Sequence, residues 1–464
     1  MISKLGQKFT DLFQKNMPDA FVFALILTLI TGIASMVWVD ATPIKVLESW
    51  YGGFWTLLEF GMQMVLLIVT GYCIALSPII GKAIDKSTKH IKTPTQVYIF
   101  VTLIGMLLSM VSWGWVVITA VLARELALRI KGVNYPFLIA CVYFSMNSWV
   151  AGLSSSIPLL LNTEKNYMIE DGVVPATIST SYTLGSYLNI AMILLYVVLA
   201  PLMMYLLIPK KKPIEIHDLK ADKTEQPKIE IEEEATNLKL PFRALSDQLN
   251  NSMPLQFIIA FLGLAYIIYY FFTTGFNLNL NIMIFVFIIL GLFLHKTPIR
   301  YGIAMRRASG NVSDILFQFP FYAGIMGILI HTGLGEELAN LIASVATIDN
   351  YPFYAYLLGG VVNFAIPSGG GEFAVIGPSM IEAVNVIGTG LPQEKLTEMT
   401  ARASLSIAYG ESLTNLLQPF FLLLVLPVMG AGLKIQARDI MGYLVIPFLL
   451  YFIIQSLMVV YLPL

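Results

Sequence analysis

The run Asn363-Phe364-Ala365-Ile366-Pro367-Ser368-Gly369-Gly370-Gly371-Glu372 interrupts a long apolar stretch with residues that a lipid-facing helix does not use. Pro367 removes a backbone donor, and three successive glycines leave the peptide groups unshielded from hydrocarbon. Irregular backbone at membrane depth persists only where it is buried in protein or lines a wet cavity. The run is therefore expected to form a binding site inside a membrane protein.

Composition supports that setting. Of the 464 residues, 57% are hydrophobic and 12% charged, against about 25% charged in soluble domains, and the mean hydropathy is +0.76. Stretches such as Ala20–Val39, Val65–Ile80, Leu184–Ile208, Leu255–Phe272 and Tyr443–Leu462 approach or exceed the roughly 20 residues that cross a bilayer as helix. The alternating segments of a transmembrane barrel are absent. The opening segment Met1–Pro18 carries Lys4, Lys8, Asp11 and Lys15 without a small-residue cleavage pattern, so no removable signal is expected there. Cys73 and Cys141 lie far apart in apolar segments and suggest packing, not a disulfide or a metal site.

Charge is concentrated: 17 of the 57 charged residues fall between Pro209 and Asn250. With Lys210, Lys211 and Lys212 directly after a span, this linker reads as cytoplasmic by the positive-inside rule, and as a solvated tether. It divides the chain into an N-terminal membrane half, 1–208, the linker, 209–250, and a C-terminal membrane half, 251–464. Lys82–Lys92 and Lys296–Arg307 also read as inside; Thr163–Gly172 and Glu336–Asp349 read as outside.

Within each half lies a similar series. Thr93-Pro94, an apolar span, Ser112-Trp113-Gly114-Trp115, a stretch ending in Arg124-Glu125, and Ala140-Cys141-Val142-Tyr143 answer to Tyr351-Pro352, an apolar span, Ser368–Glu372, Ile381-Glu382 and Ile407-Ala408-Tyr409. After each tyrosine comes a polar break: Asn147, Ser148, Ser154, Ser155, Ser156 and Pro158 in one, Glu411, Ser412, Thr414, Asn415, Gln418 and Pro419 in the other. The charge pattern starts the first series inside and the second outside. The expected fold is thus an all-α polytopic membrane protein of about 11–13 transmembrane elements, in two inverted repeats (cores 93–161 and 351–430) with interrupted helices, and with 113–128 and 369–382 as re-entrant hairpins or short crossings.

Such breaks offer free N–H groups and positive dipole ends to an anion, and freed carbonyls to a sodium ion. A small carboxylate suits them. Expected substrate contacts are Asn147, Ser154, Ser155, Ser156, Asn363, Pro367, Ser368, Gly369, Gly370, Gly371 and Asn415, with Trp113, Trp149, Tyr409 and Gln418 as pocket wall. Ionisable residues at depth are costly and functional, so Glu372 and Glu411 are the expected coupling-ion residues; helix capping, or pairing with Arg402, is the structural alternative. Glu59 and Asp314 read as interfacial caps, and Gln63 and Gln318 as interhelical hydrogen-bond formers.

Six strings then carry a resemblance across nearly the whole chain: Asn16-Met17-Pro18-Asp19, Glu59–Met64, Phe317-Gln318-Phe319-Pro320-Phe321-Tyr322-Ala323-Gly324-Ile325, Asn363–Glu372, Ala408-Tyr409-Gly410-Glu411 and Gln418-Pro419-Phe420. In these the sequence resembles the short-chain fatty acid transporter family. That resemblance implies uptake of acetoacetate, butyrate or similar monocarboxylates across a bacterial inner membrane, with H+ or Na+ as partner, and a homodimer. The chain departs from the family pattern at Ser412-Leu413, where members carry an amide and a bulky aromatic residue, and at Ser112, where the turn often begins with Asn.

The alternative within carriers is a cation/proton antiporter of the same architecture. An enzyme is disfavoured, because His90, His217, His295 and His331 sit in linkers or at span ends without catalytic spacing. No Gly-Lys-Ser/Thr loop suggests ATP. No cofactor or nucleic acid partner is expected.

Overall fold

The computed structural model describes residues 15, 20–55, 58–79, 82, 86, 91–153, 155–163, 166–170, 172–220, 231–240, 244–275, 280–310, 312–367 and 369–464. It is all-helical, without a named strand among the described residues. The principal helices in chain order are α1 (Ala20–Trp38), α2 (Pro43–Gly53), α3 (Leu58–Ala75), α4 (Pro94–Val111), α5 (Val116–Arg129), α6 (Tyr135–Met146), α7 (Ser156–Leu161) and α8 (Tyr187–Leu207, with a π turn over Leu195–Leu199). After the linker follow α9 (Met253–Thr274), α10 (Leu280–His295), α11 (Pro298–Ser309), α12 (Ser313–Thr332), α13 (Leu334–Ser344), α14 (Tyr351–Val362), α15 (Gly369–Ile387), α16 (Gln393–Thr414), α17 (Leu422–Met429) and α18 (Val445–Tyr461).

Local signals place the helix starts. Thr93 caps α4 in a reciprocal box with Gln96, Asn134 accepts from Phe137 N at α6, and Ser252 accepts from Leu255 N at α9, each followed within two residues by proline. Among the described residues six helices are long and apolar enough to cross a membrane, or seven when the bent pair α16–α17 is taken as one span; three shorter apolar helices lie within α3, α10 and α12. This is a multi-pass membrane protein.

Two packing zones follow. α1 and α2 pack on α12, while α3 packs on α10 and α11 and α9 on α10. The window Met253–Thr274 is only 22% buried and presents Ile258, Phe261, Leu262 and Phe272 outward. By contrast an 18-residue window within Tyr135–Leu161 is 94% buried, enclosed by α4, α5, α16 and α17. Inside this second zone α14 and α16 approach closely, because a Cβ on Gly359 would strike Ile407 O and one on Gly410 would strike Tyr356 O. Small residues that let backbones touch are how membrane helices bind without a hydrophobic drive.

The linker is more docked than a solvated tether. The helix Ile231–Asn237 buries Ile231 and Ala235 against Cys73, Ile303 and Ala304, and its Glu232 and Glu234 pair with Arg300 (2.7 Å) and Arg307 on α11. Both cysteines are buried and unbridged.

A candidate carboxylate and cation site between two broken helices

Each hairpin forms where a helix stops and another starts without a full loop. α4 ends at Ser112, whose backbone is extended (φ −155°, ψ 128°), and the turn Trp113–Trp115 feeds α5. α14 ends near Asn363; Ala365 and Ile366 bond back to Val362 O, Pro367 stops the helix, and α15 starts at Gly369. The next helix in each series is broken. α6 continues as a 3-10 turn to Ala151 and restarts as α7; α16 continues as a 3-10 turn to Leu417 and restarts as α17, bent by 45°. The restarted segments trade places: α7 packs on α15 and α16, and α17 on α5 and α6.

That exchange brings the tip of the second hairpin against the first break. A Cβ built on Gly369 would lie 3.1 Å from Trp149 Cη2, 3.2 Å from Ser156 Oγ and 3.3 Å from Glu411 Oε2, so only glycine fits this junction without displacing a neighbour. Glu372, one turn into α15, is buried on the same side and interacts with Glu411. Both oxygens of each carboxyl are shielded and find no hydrogen-bond partner among the described residues; the same holds for Ser155 Oγ, Ser156 Oγ and Asn147 Nδ2. Asn415 sits beside Glu411 without reaching hydrogen-bond geometry. The first hairpin answers at the second break, where Trp113 packs edge-on against Phe421 at 6.3 Å.

Amides organise the second break. Asn415 Oδ1 accepts from Asn363 Nδ2 (2.8 Å) and Gln418 Nε2 (2.9 Å), Gln418 Nε2 also reaches Asn363 O (3.1 Å), and Tyr143 OH lies within bonding distance of Asn415 O and Gln418 O. Beyond it, Arg124 donates to Val428 O (2.7 Å), Met429 O (3.1 Å) and Ala431 O (2.8 Å), satisfying carbonyls at the end of α17.

A sequence profile described as "Short chain fatty acid transporter" matches residues 1–462. The chain belongs to the short-chain fatty acid transporter family. Two relatives are each 36% identical, one from Escherichia coli K12 over 445 residues and one from Haemophilus influenzae over 455, with 96% of both chains covered; each is named a candidate short-chain fatty acid transporter. Among solved structures, the Alcanivorax borkumensis YdaH transporter is similar at 14% identity and TM-score 0.44 over 97% of both chains. Neisseria gonorrhoeae MtrF is similar at 14% identity and TM-score 0.40, over 98% of this chain and 97% of its own. Membership makes the protein a membrane transporter and not an enzyme.

For this transporter, the structure gathers Trp149, Ser156, Gly369 and Glu411 at one junction, with Gly370 beside Ser156. Ser155 and Glu372 are buried next to them in sequence, and neither serine bonds back to its own helix. Ser154 and Ser368, and the side chains of Glu59 and Asp314, lie outside the described residues. Tyr409 is fully buried and donates to Asn189 Oδ1 (2.8 Å), so its hydroxyl braces α16 against α8. Arg402 does not pair with either glutamate: its Nη1 donates to Val459 O at 2.9 Å. Gln63 does link helices, donating to Asn281 Oδ1 at 2.9 Å, whereas Gln318 Oε1 is without a partner among the described residues. Sequence reading missed Asn189, Tyr143 and the capping role of Arg124. A lone amide in the apolar stretch Leu184–Ile208 was the available signal for Asn189; the acceptors of Arg124 and Tyr143 are main-chain atoms and leave none.

Proposed function

We propose that the protein is a secondary carrier that brings short-chain monocarboxylates of the acetoacetate and butyrate class inward together with H+ or Na+. One observation carries this reading: Glu411, at the junction where Ser156 meets Gly369, and Glu372, one turn into the helix that opens there, are both buried with unpartnered carboxyls. Ionised and alone, each would cost several kcal/mol to bury. An incoming carboxylate adds a third negative charge, so binding there requires protons or cations to enter too. Coupling then follows from electrostatics. Ser155, Ser156 and the N–H groups opening α15 at Gly369, Gly370 and Gly371 would take the carboxylate, with Asn147 and Asn415 as amide donors and Trp149 walling the acyl chain.

Alternating access fits two inverted repeats, 93–161 and 351–430, whose restarted helices are exchanged. The proposed setting is the bacterial inner membrane, as a homodimer with linker 209–250 cytoplasmic. The test is uptake of labelled butyrate and acetoacetate by purified protein in liposomes, with proton and sodium gradients imposed separately. Accumulation under one gradient supports the carrier and identifies its ion. No uptake under either by folded protein rejects the reading and leaves the cation/proton antiporter.

A further inference from the structure

The amides at the second break are sorted into donors and acceptors, and main-chain atoms pin the sorting. Gln418 Nε2 lies 3.1 Å from Asn363 O. A carbonyl only accepts, so that end of the amide is nitrogen. The same nitrogen meets Asn415 at 2.9 Å, which makes the Asn415 atom an oxygen, and Asn363 must in turn present nitrogen to it at 2.8 Å. Thr414 Oγ1 agrees: its single proton goes to Gly410 O or Glu411 O, both at 3.2 Å, and it accepts from Asn363 Nδ2 at 2.9 Å.

What remains is two oxygens, Asn363 Oδ1 and Gln418 Oε1, on residues with no exposure and without a donor among the described residues, and one unpartnered donor, Asn415 Nδ2, beside the Glu411 carboxyl. A buried acceptor left unmade costs about 1–3 kcal/mol. Turning Asn363 over to relieve its oxygen would set it against Asn415 Oδ1, and turning Gln418 would set its oxygen against a main-chain oxygen. At Asn363 and Gln418 the break therefore presents acceptors by construction, while its leftover donor, Asn415 Nδ2, lies on the Glu411 side. Asn363 offers a carboxylate substrate no free N–H, since its amide nitrogen is already spent on Thr414 and Asn415.

Two buried neutral amide oxygens, on amides whose nitrogens share Asn415 Oδ1 and with the Glu411 carboxyl beside the same Asn415, are donors of the kind a hard cation takes. Among the described residues no group of three or more His, Cys, Asp or Glu could hold a transition metal. An amide oxygen does not carry a proton at neutral pH. We infer that Asn363 Oδ1 and Gln418 Oε1 are ligands of a bound monovalent cation of the sodium type, and that the site divides its labour, with the cation at the second break and the substrate carboxylate at the hydroxyls of the first. As a coupling ion this cation rests on the carrier reading; its binding does not.

The experiment uses purified full-length protein without substrate. Thermal unfolding is followed as sodium chloride replaces choline chloride at constant ionic strength. Tm is expected to rise saturably with Na+, and Gln418→Ala is expected to need about tenfold more Na+ for half the rise. Ser156→Ala should keep the sodium response while weakening the response to butyrate. A wild-type Tm indifferent to the exchange overturns the inference even if Gln418→Ala does not fold, and so does a Gln418→Ala response equal to wild type. Butyrate uptake on a proton gradient with no sodium response rejects the cation site and leaves the carrier standing. A sodium-specific rise without carboxylate uptake does the reverse.

Discussion

The two breaks share a backbone plan and differ in chemistry. At the first, around Ser155 and Ser156, the unpartnered groups are hydroxyls and the amide nitrogen of Asn147; at the second, they are the amide oxygens of Asn363 and Gln418, the amide nitrogen of Asn415 and the carboxyl of Glu411, whose Oε2 also faces the Gly369 junction. The far end of α17 is held by a guanidinium, that of Arg124, whereas Leu160 O, near the end of α7, receives the neutral amide of Asn166 at 3.2 Å. Under the proposed carrier, a repeated fold would supply symmetry of motion, and the side chains would break it by giving one end to an anion and the other to a cation.

The largest expected effect strikes the acidic side. Glu411→Gln keeps the shape and removes the charge; initial butyrate uptake in liposomes should fall about 1000-fold, roughly 4 kcal/mol. An unchanged rate would show that the carboxyl only fills space. Next comes the cap: Arg124→Ala strands three carbonyls and should lower stability by about 2–3 kcal/mol, read as a fall in Tm, with Arg124→Lys restoring part of it. If both variants unfold like wild type, the ends of α7 and α17 are held equally and the contrast fails.

Gly369→Ala places a methyl within 3.3 Å of Trp149, Ser156 and Glu411, and uptake should drop about tenfold while Tm holds within a few degrees. Ser156→Ala removes one neutral donor and should raise the half-saturating butyrate concentration about threefold. Parity of Ser156→Ala with Glu411→Gln would erase the proposed division between the breaks. Smallest is the linker: Arg300→Ala breaks an exposed ion pair and should cost less than about 0.5 kcal/mol, vanishing in high salt.

Much of this was legible in the chain. Pro367 and the three glycines mark the second hairpin because no lipid-facing helix tolerates them, and Glu372 and Glu411 are conspicuous because charge at depth needs a reason. The polar run Ser154–Ser156 marks the first break for the same cause. What sequence could not give is which tip meets which break, since Gly369 and Ser156 are joined only through packing of α7 on α15. Nor could it show that Gln418 is oriented by the main-chain oxygen of Asn363, or that Arg402 serves Val459. The linker misled for a related reason: its highly charged composition reads as solvated until α11 supplies Arg300 and Arg307 to Glu232 and Glu234.

The exchange of α7 and α17 also has a consequence for how the protein is made. Arg124 and its first acceptor are 304 residues apart, which at about 5–20 residues per second of synthesis is a wait of roughly 15–60 s. Throughout that interval the first half is without the carbonyls that Arg124 caps and without the Gly369 tip that packs on Ser156. Neither half can be finished by the ribosome alone; each is the other's last step of assembly.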